Sequence, residues 1–242
     1  MSAPVRIFRD RVKSHVYAIG IDPALGFADS DDSVIEVWNC TTGEQAAELQ
    51  GKLDGNVLAE ESWLLGLYYN EALIGCEVNK DLPCVNRLNT SGYPHIYFRR
   101  EETGRAFRKQ TDKLGWDTNL RTRPMLVTQG RNMIRDGSVI MLSQKLVNQW
   151  KHFVLENGKF QALAGAYDDL VMASLICWEM MKIQLNTADS RSKTISPLVE
   201  GEPVYIDEDE EEERNMPLSK RLSQHVMSNR RQESLIAAEN LI

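Results

Sequence analysis

The chain has 242 residues, 42% of them hydrophobic, which suits one globular domain with a full core and a tail. It contains no run of about 18 uncharged apolar residues, so we expect no membrane span. The formal net charge is -7, but seven consecutive acids, Asp207–Glu213, account for all of it. The rest of the chain is near neutral, so the total charge does not exclude nucleic acid as a ligand.

Cysteine and histidine usage argues against a zinc site and against a disulfide scaffold. The 4 cysteines lack CxxC spacing, and the 4 histidines are scattered along the chain. We therefore expect reduced thiols in a cytosol-like compartment.

The first part of the chain predicts three antiparallel strands, a helix and a fourth strand. Apolar runs between turn residues predict strands at 16–21, 33–40, 46–50 and 73–78. Between the last two, a helix is predicted from Asn56, its expected N-cap, to about Glu71. The fourth strand is short and apolar throughout, which is typical of a strand covered on both faces.

The following residues predict alternating helices and strands. Helices are predicted at 82–90, 123–135, 143–154 and 168–185, and Ser143 is the expected cap of the third. Strands are predicted at 95–100 and 138–142, with hairpins within 101–116 and around Asn157–Gly158. This pattern predicts an α/β fold with a mixed sheet, an antiparallel meander plus parallel strands, flanked by helices. We assign 1–187 to this domain and 188–242 to an acidic, largely disordered tail, with a short terminal helix from Pro217 left open.

Acidic residues lie at the ends of three apolar runs. Asp22 directly follows the first predicted strand, Glu77 lies in the last two residues of the fourth, and Asp168 and Asp169 begin the last long helix. If the first and fourth strands are neighbours, Asp22 and Glu77 lie side by side, and the helix can bring Asp169 to the same point. Each acid alone also has an ordinary interpretation as a helix cap or a turn residue.

Buried carboxylates are costly unless something pairs with them, and one divalent cation pairs with several at once. Ligands that are all oxygen favour Mg²⁺ or Mn²⁺ over zinc. Two such ions can activate a water and stabilise the leaving oxygen in phosphodiester hydrolysis. The three positions together therefore predict a hard-metal site.

Four motifs in this order resemble the nuclease domain of the large terminase subunit of tailed bacteriophages, over about residues 14–186. They are Gly20–Gly26 with Asp31–Ser33, Gly75–Asn79, Gly115–Asn119 with Thr122–Pro124, and Gly165–Ala173. The resemblance implies an RNase H-like fold and a metal-dependent endonuclease that cuts concatemeric double-stranded viral DNA. It implies catalytic metal ligands at Asp22, Glu77 and Asp169, a further ligand at Asp168, and auxiliary roles for Asp31 or Asp32.

The same resemblance implies cofactors, partners and a location. The expected cofactors are two Mg²⁺ or Mn²⁺ ions. The expected partners are double-stranded DNA, the portal protein, the small terminase subunit and a packaging ATPase domain, in the cytoplasm of the infected bacterial host. Because the sequence contains no GxxxxGK[ST] loop, we expect an isolated nuclease portion that does not translocate DNA alone. Relatives often have histidine where Tyr167 stands.

Residues 99–123 form a basic stretch with interleaved aromatic residues. It contains eight Lys or Arg residues and only four Asp or Glu residues. Such a stretch can follow a DNA backbone, although it can also be a solvated hairpin. The predicted DNA-binding residues are Arg99, Arg100, Arg105, Arg108, Lys109, Lys113, Arg121 and Arg123.

Three other functions fit parts of the sequence. A Holliday-junction resolvase shares the Ile-Asp-Pro opening, and an actin-like ATPase shares a Gly-Ile-Asp strand, but the chain is short for the two lobes of the latter. A non-catalytic packaging adaptor would use the sheet as a scaffold and the acidic tail as a docking peptide.

Overall fold

A computed structural model describes residues 5–27, 30–79, 82–103, 107–156 and 158–192. Its strands are β1 Arg6–Ile7, β2 Tyr17–Asp22, β3 Ser33–Asn39, β4 Gln45–Gly51, β5 Leu73–Cys76, β6 Phe98–Thr103, β7 Phe107–Leu114, β8 Phe153–Glu156 and β9 Lys159–Ala162. Its helices are α1 Gly55–Tyr68, α2 Leu82–Thr90, α3 Thr122–Arg135, α4 Gln144–Lys151 and α5 Asp169–Ser192. Within the described ranges, no helix has the length and apolar character needed to cross a membrane.

One mixed sheet organises the domain, with strand order β1-β4-β3-β2-β5. The meander β2, β3 and β4 is antiparallel, and β5 returns parallel to β2 after the crossover helix α1. Two separate hairpins, β6–β7 and β8–β9, complete the described strands. The predicted α/β class and the mixed sheet flanked by helices are confirmed.

Alternating side chains of the sheet build two apolar cores, because successive residues of a strand point to opposite faces. Ile19 and Ile21 of β2 belong to the core that α1 and α2 cover. Ala18 of β2 and Trp38 of β3 belong to the other core, which contains residues of α3, α4 and α5. The central strands are therefore buried on both faces, as their continuous apolar sequence predicts.

Helix α5 packs directly against β2 and β5 because both strands carry glycine where the helix crosses them. A Cβ atom at Gly20 would lie 2.1 Å from the Ala173 carbonyl oxygen, and one at Gly75 would lie 2.7 Å from Met180 Cγ. Further along the helix, Cys177 Sγ donates a hydrogen bond of 3.2 Å to the Ala18 carbonyl oxygen. The helix thus runs antiparallel to β2, and its first turn lies near the carboxyl end of that strand.

Several predicted elements differ from the structure. Helix α1 is capped by Asp54, whose side chain accepts from the Asn56 and Val57 amides, and not by Asn56. The predicted strand 138–142 is wrong, because only a single bridge between Glu44 and Ile140 forms there. The predicted cap at Ser143 is confirmed.

Other differences concern the ends of elements and the tail. The predicted fourth-strand residues Glu77 and Val78 lie beyond β5, which ends at Cys76. The predicted helix 143–154 is shorter, and Val154 belongs to β8. The short strand β1 was not predicted. The tail after residue 192, with the acidic run and the helix from Pro217, lies outside the described residues.

Two glutamates are buried side by side in the sheet. Glu36 of β3 is directly opposite Glu48 of β4, and their exposed fractions are 0% and 2%. Gln45 Nε2 and Trp38 Nε1 donate to Glu36 Oε2 at 2.8 and 3.2 Å, and Arg6 Nη1 is 3.1 Å from Glu48 Oε1. Burial, and then the neighbouring Glu48 charge, raise the pKa of Glu36 well above its usual value.

This raised pKa makes folding take up a proton. The pKa of Glu36 is higher in the folded protein than in the unfolded chain. The contribution of Glu36 to the free energy of unfolding is therefore fully present at pH values below the unfolded pKa. That contribution is lost as the pH rises toward the folded pKa, at up to about 1.4 kcal/mol per pH unit.

We therefore predict that Glu36→Gln, which cannot ionise, raises the free energy of unfolding relative to the parent protein at neutral and alkaline pH. Urea unfolding of both proteins across a pH series measures the difference. The exposed Glu156→Gln is the control and should leave the pH profile unchanged. Parallel profiles for Glu36→Gln and the parent would contradict a raised pKa of Glu36 in the folded protein.

Candidate metal centre

Asp22 and Glu77 lie next to each other at the carboxyl ends of two parallel strands. In the register of β2 and β5, Ile21 is the partner of Cys76, and the Glu77 amide donates to the Ile21 carbonyl oxygen at 3.0 Å. Asp22 and Glu77 each come directly after this pair, and the backbones of two neighbouring strands are about 4.8 Å apart. Alternation from Gly20 places both acids on the sheet face that α5 covers.

Asp169 reaches this edge from the helix. It begins α5 one turn before Ala173, whose carbonyl lies against Gly20. The four residues from Asp169 to Ala173 rise about 6 Å along the helix, and the two residues of strand from Gly20 to Asp22 advance about 6.6 Å. Since the helix and β2 are antiparallel, Asp169 lies over the end of the strand that carries Asp22.

All three acids are buried: the exposed fractions are 4% for Asp22, 6% for Glu77 and 4% for Asp169. Asp22 Oδ1 and Asp169 Oδ2 receive no hydrogen bond from the described residues, although both side chains have other interactions. Like charges buried together are unfavourable without a counter-charge. The donor set is entirely carboxylate oxygen, which fits Mg²⁺ or Mn²⁺.

The three acidic side chains do not form a complete set of metal ligands in this structure. Among the described residues, no three or more His, Cys, Asp or Glu side chains are arranged so that they could hold an ion as they stand. The backbone therefore brings the three predicted acids to one place, and ion binding would require their side chains to turn toward a common point.

The segment after β7 supports Glu77 from the other side. Trp116 pairs in parallel with Glu77: its amide donates to the Cys76 carbonyl oxygen at 2.7 Å, and its carbonyl accepts from the Val78 amide at 2.9 Å. Asn79 Nδ2 donates to Glu77 Oε1 at 3.3 Å. The Gly-Trp-Asp-Thr-Asn motif thus continues the sheet edge beside Glu77.

Comparison with solved structures gives a consistent set of folds. The large terminase nuclease of thermophilic phage G20c matches with magnesium bound (TM-score 0.58, 15% identity) and with cobalt bound (TM-score 0.57, 16% identity). Each match covers 72% of this chain and 86% of that one. The large terminase nuclease domain of Thermus phage P74-26 matches with a TM-score of 0.54 and 14% identity over 72% of this chain and 84% of that one. No family model and no curated protein sequence matches this chain.

This chain has the fold of a phage large terminase nuclease domain. The RNase H-like fold predicted from the four motifs is confirmed. The identities are too low to carry residue roles across, so the catalytic, metal-binding and DNA-binding residues remain predictions.

In this terminase nuclease fold, Asp168 is engaged by a cation. Its Oδ2 accepts a hydrogen bond from Arg123 Nη2 in a short ion pair. Arg123 also donates from Nε to the Phe160 carbonyl oxygen at 2.9 Å and lies 5.9 Å from the centre of the Phe153 ring. Arg123 therefore ties α3 and the β8–β9 hairpin to the residue that precedes Asp169. The metal-ligand role of Asp168 stays a prediction.

The first turn of α5 is capped by a residue that the sequence did not indicate. Gln149 Oε1 of α4 accepts from the Leu170 and Val171 amides at 2.9 and 3.4 Å. A glutamine 21 residues upstream carries no local capping signal, so only the tertiary structure reveals this contact.

The predicted auxiliary acids lie in the connection between β2 and β3, at the end of the sheet that carries Asp22. Asp32 Oδ1 pairs with Lys52 Nζ at 3.0 Å, and Asp31 is exposed. Lys52 was not among the predicted site residues. Its position in sequence, after β4, gives no sign that it lies beside the loop that carries Asp32.

The predicted DNA-binding residues are only partly described. Arg99 lies 3.7 Å from Asp117, and Lys113 and Arg121 are exposed. The side chains outside the described set are Arg100, Arg105, Arg108 and Lys109.

The Arg123–Asp168 pair predicts a measurable coupling. We expect Arg123→Gln and Asp168→Asn to lower the free energy of unfolding non-additively, with a coupling of up to about 1 kcal/mol because part of each side chain is exposed. A double-mutant cycle by urea unfolding measures it. The more exposed pair Arg87–Glu60, at 3.6 Å, serves as the control and should give a coupling near zero. Additive losses at Arg123 and Asp168 would show that the pair does not stabilise the start of α5.

Proposed function

We propose that this protein is a divalent-metal-dependent endonuclease that cuts concatemeric double-stranded DNA during phage genome packaging. The observation that supports it best is that two parallel strands and one helix bring the backbone positions of the buried Asp22, Glu77 and Asp169 to a single edge of the sheet. The solved terminase nucleases of this fold include forms with magnesium and cobalt bound, which favours the same chemistry here.

In this proposal, Asp22, Glu77 and Asp169 hold two Mg²⁺ or Mn²⁺ ions. Bound ions of this kind activate a water for attack and stabilise the leaving oxygen of the phosphodiester. The role of the protein is to fix the acids. The Glu77 amide is bonded to β2 and Asn79 contacts its carboxylate, while Arg123 and Gln149 hold the start of α5. No protein nucleophile is required.

The partners follow from the same proposal. Double-stranded DNA is the substrate, and the portal protein, the small terminase subunit and a packaging ATPase domain are the proposed assembly partners in the infected bacterial cytoplasm. Asp32 and Asp168 are held by Lys52 and Arg123, so we assign them supporting roles around the three buried acids.

Conservative substitutions test the three acids. We predict that Asp22→Asn, Glu77→Gln and Asp169→Asn each reduce cleavage of linear duplex DNA by at least about 100-fold, since metal stabilisation of the transition state amounts to several kcal/mol. Cleavage by the parent protein should require Mg²⁺ or Mn²⁺ and stop in EDTA. The matched control is Glu179→Gln, which changes an equally buried acid of α5 that contacts Gln129 and Lys182. Its activity should be retained.

Thermal unfolding provides a second readout that does not depend on activity. Saturating Mn²⁺ should stabilise the parent protein, by about 2.7 kcal/mol at a hundredfold excess over the dissociation constant, and should stabilise Asp22→Asn much less. Equal cleavage in EDTA would exclude the metal mechanism. Preferential cutting of four-way junctions would favour a resolvase, and an inactive protein that still bound portal protein would favour an adaptor.

A further inference from the structure

Lys52 lies in the short connection between β4 and α1, at the same edge of the sheet as the three acids. The preceding residue, Gly51, pairs with Ser33 at the start of β3. The Ser33 hydroxyl donates to the Leu53 carbonyl oxygen at 2.8 Å and accepts from the Ala24 amide at 3.0 Å. This buried hydroxyl ties the connection that carries Lys52 to the residues that follow Asp22.

The Lys52 ammonium is held over this edge by two oxygen acceptors. Nζ lies 3.0 Å from Asp32 Oδ1 and also donates to the Ser30 carbonyl oxygen. The hydrogen bond to Asp32 is the main cause of a raised pKa of Lys52, and the charges of Tyr167 and Asp169 contribute to it. The Lys52 ammonium is therefore a fixed positive charge at the end of the sheet that carries Asp22.

The chemistry of the site makes a cation at this position useful. Three buried acids repel an approaching phosphate, and Asp32 adds a fourth negative charge near them. Lys52 is 42% exposed, and a lysine ammonium is a compact charge on a flexible stem that can turn from one oxygen acceptor to another. Contacts to phosphate oxygens are what position a nucleic-acid strand on a protein.

We propose that Lys52 binds a backbone phosphate of the DNA strand that lies at the three acids, and that Asp32 holds the ammonium in place until DNA arrives. This inference deepens the proposed function and rests on it. It adds a substrate-binding residue outside the basic stretch 99–123, on the opposite side of β2 from Glu77.

The salt dependence of DNA binding tests the contact directly. Each phosphate that a protein neutralises contributes about 0.9 to the slope of log K against log salt concentration. In an Asp22→Asn background, which leaves DNA intact, we expect Lys52→Gln to lower that slope by about 0.9 and to weaken binding of linear duplex DNA several-fold. Lys52→Arg keeps the charge and should restore the slope.

Lys182→Gln is the matched control. Lys182 is 52% exposed and also pairs with a carboxylate, that of Glu179, but it lies 13 residues along α5 from Asp169, about 20 Å away. It should leave the slope unchanged. Thermal unfolding of each variant checks that the fold is intact.

An unchanged slope for Lys52→Gln, an equal loss for Lys182→Gln, or no DNA binding by the parent protein would overturn the inference. The result is separable from the proposed function. If the parent protein cleaves DNA only with metal and Lys52→Gln keeps the slope, the inference fails alone. If Lys52→Gln loses one phosphate contact but no cleavage occurs in any metal, the nuclease proposal fails alone.

Discussion

The burial of like charges at one end of the sheet is the constraint on which the rest of this structure depends. Asp22, Glu77 and Asp169 come from distant parts of the chain and are each less than one-tenth exposed. A fold gains nothing from such an arrangement without a counter-charge, because desolvating a carboxylate costs several kcal/mol. Gly20 and Gly75 allow α5 to lie directly on the strands, and so bring its first residue to the other two acids.

Two acids beside these three are paired with cationic side chains of the protein. Asp168 is paired with Arg123, and Asp32 with Lys52, and all four of these side chains are partly exposed. The protein thus supplies fixed cations to the outer acids through its own side chains. Arg123 also donates to the Phe160 carbonyl oxygen of the β8–β9 hairpin, whereas we propose that the exposed Lys52 exchanges Asp32 for a phosphate. In our account, the three buried acids hold the ions, Arg123 has a structural role, and Lys52 binds the substrate.

Much of this could be predicted from sequence, for physical reasons. Continuous apolar strands and capped helices predicted the mixed sheet, and the acids that end those strands predicted one common edge, since parallel neighbours present their carboxyl ends together. Local rules failed in two ways. Asp54 caps α1 although the nearby Asn56 is an equally good capping residue type, and the local pattern does not choose between them. Residues 138–142 make one bridge, Glu44–Ile140, and the Leu142 and Ser143 amides donate to the Gln45 side chain instead of to a neighbouring strand.

The contacts that position the site were beyond local pattern. Gln149 contacts α5 from 21 residues upstream, and Lys52 pairs with an acid of another connection. The buried pair of Glu36 and Glu48, away from the site, likewise depends on the pairing of adjacent strands. A polar residue inside an apolar strand, such as Glu36, signals only that something must compensate its burial. Which group compensates it depends on how β3 is aligned with β4, and the sequence of one strand does not give that alignment.

The most direct measurement of the central claim is a crystal structure of the protein soaked in Mn²⁺, with anomalous data collected at the manganese absorption edge. Our account predicts manganese peaks within coordination distance of carboxylate oxygens from Asp22, Glu77 and Asp169 together. Manganese bound elsewhere on the protein instead of at these three acids would contradict it. So would the absence of a manganese peak at the three acids under conditions in which the protein binds Mn²⁺ in solution.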